Sequence, residues 1–213
     1  MQSIHPQAAT MTDNPGFMNS ADLLEAAHAP GLFPAPSGNT DGNGTQVSKA
    51  RWKPNVTVAA LIERDGRFLL VEEDTSDGLL LNNPAGHLDP GESPIQGAMR
   101  ETLEETACEF TPKGFLGLYM SRFRRTRTGE DITYLRLAFF GSASEPNPAL
   151  TLDEGIVRTV WMTADEIRAC PERHRSPLVL ECLESYLAGH RYPLDILTVH
   201  HSVFSAPEHR RAP

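Results

Sequence analysis

The chain has 213 residues, 39% of them apolar, and a formal net charge of −9 with a pI near 5.3. That length suits one domain of ordinary size with extensions, or two small ones, and the low apolar share implies that part of the chain does not pack. The acidic balance excludes general binding to nucleic acid or to an anionic membrane surface, which need a basic face. It does not exclude a small phosphorylated ligand, because a metal ion can bridge anion to anion.

Residues 1–50 are rich in Pro, Gly, Asn, Ser and Ala, and PSGNTDGNGTQ (36–46) has the composition of a flexible linker. Within this region SADLLEAAHA (20–29) offers Ser20 as a cap and Leu23 and Leu24 as a small apolar side. A helix that short is marginal alone. The first residues lack the basic start and apolar run of a signal peptide, and no segment reaches the ~18 apolar residues that cross a bilayer. Cys108, Cys170 and Cys182 have neither CxxC spacing nor zinc-type histidine partners, which fits unpaired thiols in a reducing cytoplasm. The expectation is a soluble, cytoplasmic protein. Its folded domain spans 51–198, between a disordered or weakly docked extension (1–50) and a frayed tail (199–213).

Order is expected from Trp52 onward. NVTVAALIE (55–63) is β-branched and apolar, hence strand-like. Asp65-Gly66 supplies the positive-φ pair of a tight hairpin, so Val56–Glu63 and Arg67–Glu73 should pair antiparallel. GLLLNNPAG (78–86) is a further apolar run, FLGLYMSRF (115–123) and DITYLRLAFFG (131–141) read as strands joined by a basic tip, and GIVRTVWM (155–162) as another strand. Thr163 with Glu166 forms a capping box for a short helix. Ser176-Pro177 opens a last helix that stops at Gly189. Strands outnumber helices and helices separate groups of strands. The fold class is therefore α/β or α+β, a mixed sheet covered by helices.

Between these elements lies GHLDPGESPIQGAMRETLEETAC, beginning at Gly86. Asp89-Pro90-Gly91-Glu92 is a turn. Ser93 is a cap, Pro94 takes the first helical position, and Gln96 completes a capping box, predicting a helix from Pro94 to about Ala107. At ~100° per residue, Ile95, Ala98, Met99, Thr102, Leu103 and Thr106 fall on one side, expected to pack on the sheet. Glu101, Glu104 and Glu105 fall on the other, expected to face outward, with Gly97 one turn earlier.

A run of charges on a helix is ordinarily a solvated face. Here no Lys stands at i+4 to relieve the repulsion. Glu104 and Glu105 sit in the last turn, where the macrodipole disfavours negative charge. Glu92 brings another carboxylate close. Clustered carboxylate oxygens are what hard divalent cations such as Mg²⁺ or Mn²⁺ select.

Gly86, Glu92, Arg100, Glu101, Glu104 and Glu105 fall in the register Gly-x5-Glu-x7-Arg-Glu-x2-Glu-Glu, and the stretch resembles the signature of the Nudix hydrolases. Thr102 stands where a bulkier apolar residue is usual, and Ala107 replaces the glycine after the helix, which puts helix termination rather than chemistry in question. The resemblance implies a mixed sheet between helices and cleavage of a pyrophosphate linkage with Mg²⁺ or Mn²⁺. Glu101, Glu104 and Glu105 become metal ligands, and Glu101 orients or deprotonates the attacking water. Arg100 holds the glutamates in place, Glu92 braces the loop, and the Gly86 carbonyl adds a backbone ligand. A further carboxylate before the last strand is expected from Asp153 or Glu154; Glu154 is favoured, against a plain turn residue.

KPNVTVAALIE, NNPAGHL, RSPLV and RYPLDIL resemble a bacterial phosphatase branch of the family over roughly Trp52–Leu197. That implies hydrolysis of nucleoside tri- and diphosphates with phosphate release, and of the thiamine precursor hydroxymethylpyrimidine pyrophosphate. The competing readings are a pyrophosphohydrolase of a nucleotide sugar or dinucleotide, and a non-catalytic nucleotide sensor; the complete acid set favours catalysis. The partner is a small phosphorylated substrate, not a nucleic-acid polymer or a membrane, and oligomeric state is not legible. Substrate contacts are sought at Arg122 in the basic tip with Arg124, Arg125 and Arg127, at Arg136 mid-strand, and at Asn83 beside Asn82. Each has an ordinary reading too: a solvated tip, a solvated strand face, a strand-end asparagine.

Overall fold

The computed structural model describes residues 52–125 and 128–206. The helix expected at 20–29, the linker at 36–46 and Arg127 lie outside them. Seven strands form a mixed sheet: β1 (Asn55–Arg64), β2 (Arg67–Thr75), β3 (Gly78–Asn82), β4 (Ala85–His87), β5 (Phe110–Arg124), β6 (Asp131–Ala143) and β7 (Ile156–Thr163). The order is β3-β2-β1-β6-β5, with β4 also on β1 and β7 also on β2. Only β1 and β6 run parallel.

The hairpin at Asp65-Gly66 forms as expected, with φ of 51° and 74°. Yet β1 pairs with β2 only at Glu63↔Phe68 and Arg64↔Arg67. Its earlier residues turn to β4 at Thr57↔His87, Val58↔Gly86 and Ala59↔Ala85, and to β6 on the other side. Val58–Ile62 are buried without alternation because both faces of the strand are covered. One face packs on α1 (Pro94–Thr106): Val58, Ala60, Ile62, Leu69 and Phe139 meet Ala98. The other packs on α3 (Leu178–Leu187): Ala59, Leu61, Leu116 and Ala138 meet Val179, Cys182 and Leu183. A short α2 (Ala164–Arg168) begins at the expected Thr163–Glu166 capping box.

The cap of α1 is also as expected: the Ser93 hydroxyl accepts from Gln96 N at 3.3 Å, and Ser93 N donates to the Gln96 side chain at 2.9 Å. Helix α3 starts one residue later than expected. Pro177 has helical dihedrals but serves as the cap, and Ser176 Oγ accepts from Leu178 N at 3.3 Å. The chain leaves α3 through Gly189 at φ 85°. A buried carboxylate, Glu72 on β2, accepts from Arg158 on β7 at 2.7 Å and from Arg173 at 2.5 Å. These bonds, Arg158 foremost, hold its pKa below the usual value and fasten the β2–β7 edge.

The orientation of α1 departs from expectation. Met99 and Leu103 are 42% and 37% exposed, whereas Glu101 and Glu105 are 8% and 7% exposed. The buried stripe runs through Gly97, Ala98, Glu101, Thr102, Glu105 and Thr106. Small residues let the helix approach the sheet closely, so a bulkier side chain at Thr102 has no room. Thr102 and Thr106 satisfy their hydroxyls on the carbonyls of Ala98 and Thr102, at 2.7 and 2.6 Å.

Ala107 ends α1 in the left-handed region at φ 57°, with its N–H on Leu103 O. An alanine there carries a steric cost that glycine does not. Ala107→Gly is therefore expected to raise stability by about 0.5–1 kcal/mol, read as a Tm increase of roughly 1–4 °C. An unchanged or lower Tm contradicts this reading of the cap.

Candidate active site

Glu101 and Glu105 stand one turn apart on the α1 stripe that faces β4. Two glycines make that approach feasible. A Cβ on Gly86 would overlap the Glu101 carboxyl group. A Cβ on Gly97 would come within 2.8 Å of Glu92 Oε1 and 3.1 Å of Val58.

Arg100 organises the acids around it. Its Nε and Nη2 donate to the two oxygens of Glu92 at 3.0 and 2.7 Å. Nη1 donates to Glu101 Oε1 at 2.8 Å and to Glu104 Oε2 at 2.9 Å, and Nη2 also reaches His87 O at 3.0 Å. Charge-assisted bonds of this kind fix geometry as well as energy. Glu92 also accepts from Asp89 N at 2.8 Å, so it braces the loop as the family resemblance implies. The Arg100 guanidinium holds its pKa below the usual range.

Glu105 lies beyond the reach of that fork. Its Oε2 accepts from Ala85 N at 2.8 Å. Burial, reinforced by Glu73, Glu101 and Asp153, pushes it up to about 9 despite that bond. Burial likewise raises Glu101, against the pull of Arg100. Glu101 Oε2, Glu104 Oε1 and Glu105 Oε1 accept no hydrogen bond among the described residues. Each acid thus keeps one oxygen for another partner, and a divalent cation is the partner that would favour both buried charges. Among the described residues no three acids are already gathered round one ion-sized point, so Arg100 would have to yield part of its grip.

Of the three α1 acids, Glu105 lines a cleft of about 670 Å³ whose walls also include Gly86, Glu154, Asn82, Tyr134 and Arg136; Glu101 and Glu104 stand behind that wall. Glu154 is exposed on its rim. Asp153 joins the end of α1, its N–H donating to Glu104 O at 3.0 Å, and its charge reaches Glu101 and Glu105. Arg122 stands apart from the cleft wall, tied to Asp131 across the exposed hairpin; Arg124 and Arg125 line the cleft instead. Asn83 is buried and its Oδ1 has no partner, whereas Asn82 reaches the cleft. Asn82 links Arg136 (3.3 Å) to Glu73 (2.8 Å), and Glu73 is held by Arg175 at 3.1 Å. Nothing in the sequence singles out Glu73, since an acid at the end of an amphipathic strand is unremarked. Phe123 and Tyr134 stack at 5.9 Å in the same cleft, with His87 6.1 Å from Tyr134.

The mixed sheet with its Arg100-centred acid cluster is matched by known proteins, and the matches make the chain a hydrolase acting on phosphoanhydride bonds. The NUDIX domain matches residues 51–181, and the chain belongs to the Nudix hydrolase family. It is 35% identical to the phosphatase NudJ of Escherichia coli over 146 residues, covering 68% of this chain and 92% of that protein. It is also similar to a NUDIX hydrolase from Nitrosomonas europaea, at 51% identity and a TM-score of 0.64, over 70% of this chain and 98% of that one. A MutT NUDIX hydrolase from Burkholderia pseudomallei, at 20% identity and a TM-score of 0.51, covers 63% of this chain and 98% of its own, and shares the fold. Among the described residues no helix is long and apolar enough to cross a membrane.

Gly86→Ala is expected to push Glu101 out of place. Displacement of a reacting group by about 1 Å costs on the order of 100-fold in rate, so phosphate release should fall by about that factor while the protein still melts cooperatively. A rate within threefold of the wild type contradicts the close approach of β4 to Glu101.

Proposed function

We propose that the protein is a Mg²⁺-dependent phosphatase of nucleoside tri- and diphosphates and related small pyrophosphates such as hydroxymethylpyrimidine pyrophosphate, acting in the cytoplasm. The observation that carries this reading is the pair of buried carboxylates one turn apart, Glu101 and Glu105, each with an unengaged oxygen, of which Glu105 lines a substrate-sized cleft. Similarity to a relative named as a phosphatase supports the choice of phosphatase over sensor.

Glu101, Glu104 and Glu105 would hold the ion, with Gly86 and Glu154 as further ligands. A bound Mg²⁺ would neutralise phosphoryl oxygens and acidify an attached water. Glu101 orients or deprotonates the attacking water. Arg100 keeps Glu101 and Glu104 from swinging apart. Glu92 holds Arg100. The new bond joins water oxygen to phosphorus, the phosphoanhydride bond breaks, and the rest of the substrate leaves as a phosphate that keeps the bridging oxygen and its electron pair.

Millimolar Mg²⁺ should raise Tm by about 3–8 °C if it exceeds its Kd ten- to hundredfold. Glu105→Gln should remove most of that rise and lower phosphate release by at least ~100-fold. A phosphate-release screen over nucleoside di- and triphosphates, hydroxymethylpyrimidine pyrophosphate, ADP-ribose and dinucleoside polyphosphates then separates phosphatase from pyrophosphohydrolase. Turnover confined to ADP-ribose or dinucleotides overturns the phosphatase reading, and no turnover of any substrate with Mg²⁺ bound overturns catalysis.

A further inference from the structure

Arg136 is the one charged residue in Ile132–Phe140, the centre of β6, which lies between β1 and β5. It is 6% exposed. Its Nη2 makes one long bond, to Asn82 Oδ1 at 3.3 Å, and its Nε and Nη1 have no acceptor among the described residues. Other guanidinium groups nearby are paired, Arg100 with three glutamates and Arg175 with Glu73, while Arg124, which also lines the cleft, is exposed to solvent.

A buried cation without a counter-charge is costly, and the surroundings of Arg136 supply none. In register beside it stand Thr57 on β1 and Tyr119 on β5. Cys182 of α3 is close by, its thiol pushed up to about 11 by burial and so neutral. The Tyr119 phenol is also raised by burial and neutral. The hydroxyls of Thr57 and Ser121 also lack partners among the described residues. Arg136, Thr57 and Ser121 all line the cleft, together with Ser176 and Leu178 at the start of α3. The first N–H of that ten-residue helix is taken by Ser176 Oγ, and its first turn forms part of the wall of the same corner.

We infer that Arg136, with Thr57, Ser121 and the first turn of α3, forms a phosphate subsite for a phosphoryl group other than the one attacked. This rests on the proposed reading of the cleft as the substrate site. Thr57 pairs with both Arg136 and His87, so Arg136 lies two strand spacings, roughly 10 Å, from β4 within the sheet, on the cleft that Glu105 also lines. The substrate class is therefore one with a phosphate beyond the scissile bond, as in a nucleoside di- or triphosphate. Unpaired donors arrive from β1, β5 and β6, and α3 closes the corner. A tetrahedral phosphate presents oxygens in all these directions, and a planar carboxylate does not.

The test follows thermal unfolding of the full chain in EDTA against inorganic phosphate, with acetate at equal ionic strength as control. Phosphate at tenfold its Kd should raise the wild-type Tm by about 3–6 °C and acetate should not. Arg136→Met should lose that shift, and Arg136→Lys should keep part of it. Unliganded Arg136→Met is also expected to melt above the wild type, because the unpaired charge is gone. No phosphate shift in the wild type, or an undiminished shift in Arg136→Met, overturns the subsite. If Mg²⁺-dependent hydrolysis persists in that case, the proposed function stands without it; an intact phosphate shift with no hydrolysis leaves the subsite and removes the function.

Discussion

Two carboxylates of one helix are pressed against a neighbouring strand where water cannot stabilise their charge. Packing alone does not favour this. An apolar pair at positions 101 and 105 would bury the same surface without the desolvation cost that pushes Glu105 up to about 9. Much of the local sequence serves that placement. Gly86 and Gly97 leave the space, Ala98 and Thr102 bring the helix close, and Ser93 with Gln96 fixes where it begins. Arg100 supplies the single positive charge that lets three glutamates share the neighbourhood.

The sheet places this helix beside a cleft through the path of β1. That strand parts from β2 after two residue pairs and gives its remaining edges to β4 and β6. The parting leaves room between the β2–β3–β7 side and the β5–β6 hairpin. The resulting cleft is lined both by carboxylates, Glu105 and Glu154, and by guanidinium groups, Arg136, Arg124 and Arg125. A polyphosphate with its cation carries the matching charges.

Local rules were legible where short-range chemistry decides. The capping boxes at Ser93 and Thr163, the Asp65-Gly66 hairpin and the stop at Gly189 each depend on residues within a few positions. The signature also located Glu101, Glu104, Glu105 and Arg100 on one helix. The face of that helix was not legible. Hydropathy assigned Met99 and Leu103 to the core, but the sheet selects the small residues and accepts buried acids beside glycines. Partners from distant strands were hidden as well. Glu73 and Asn82 meet Arg136 only because β2, β3 and β6 converge, and Arg122 is withdrawn by Asp131 across the hairpin.

The claim that most depends on this geometry is that the α1 acids take up a divalent cation. Electron paramagnetic resonance with Mn²⁺ tests it without any substrate, because free Mn²⁺ gives a strong six-line signal that binding suppresses. Titration of the wild type should remove that signal in a stoichiometric phase, and Glu105→Gln should leave most of the ion free. Equal uptake by the two proteins, or no uptake by the wild type, would contradict a cation site on this helix.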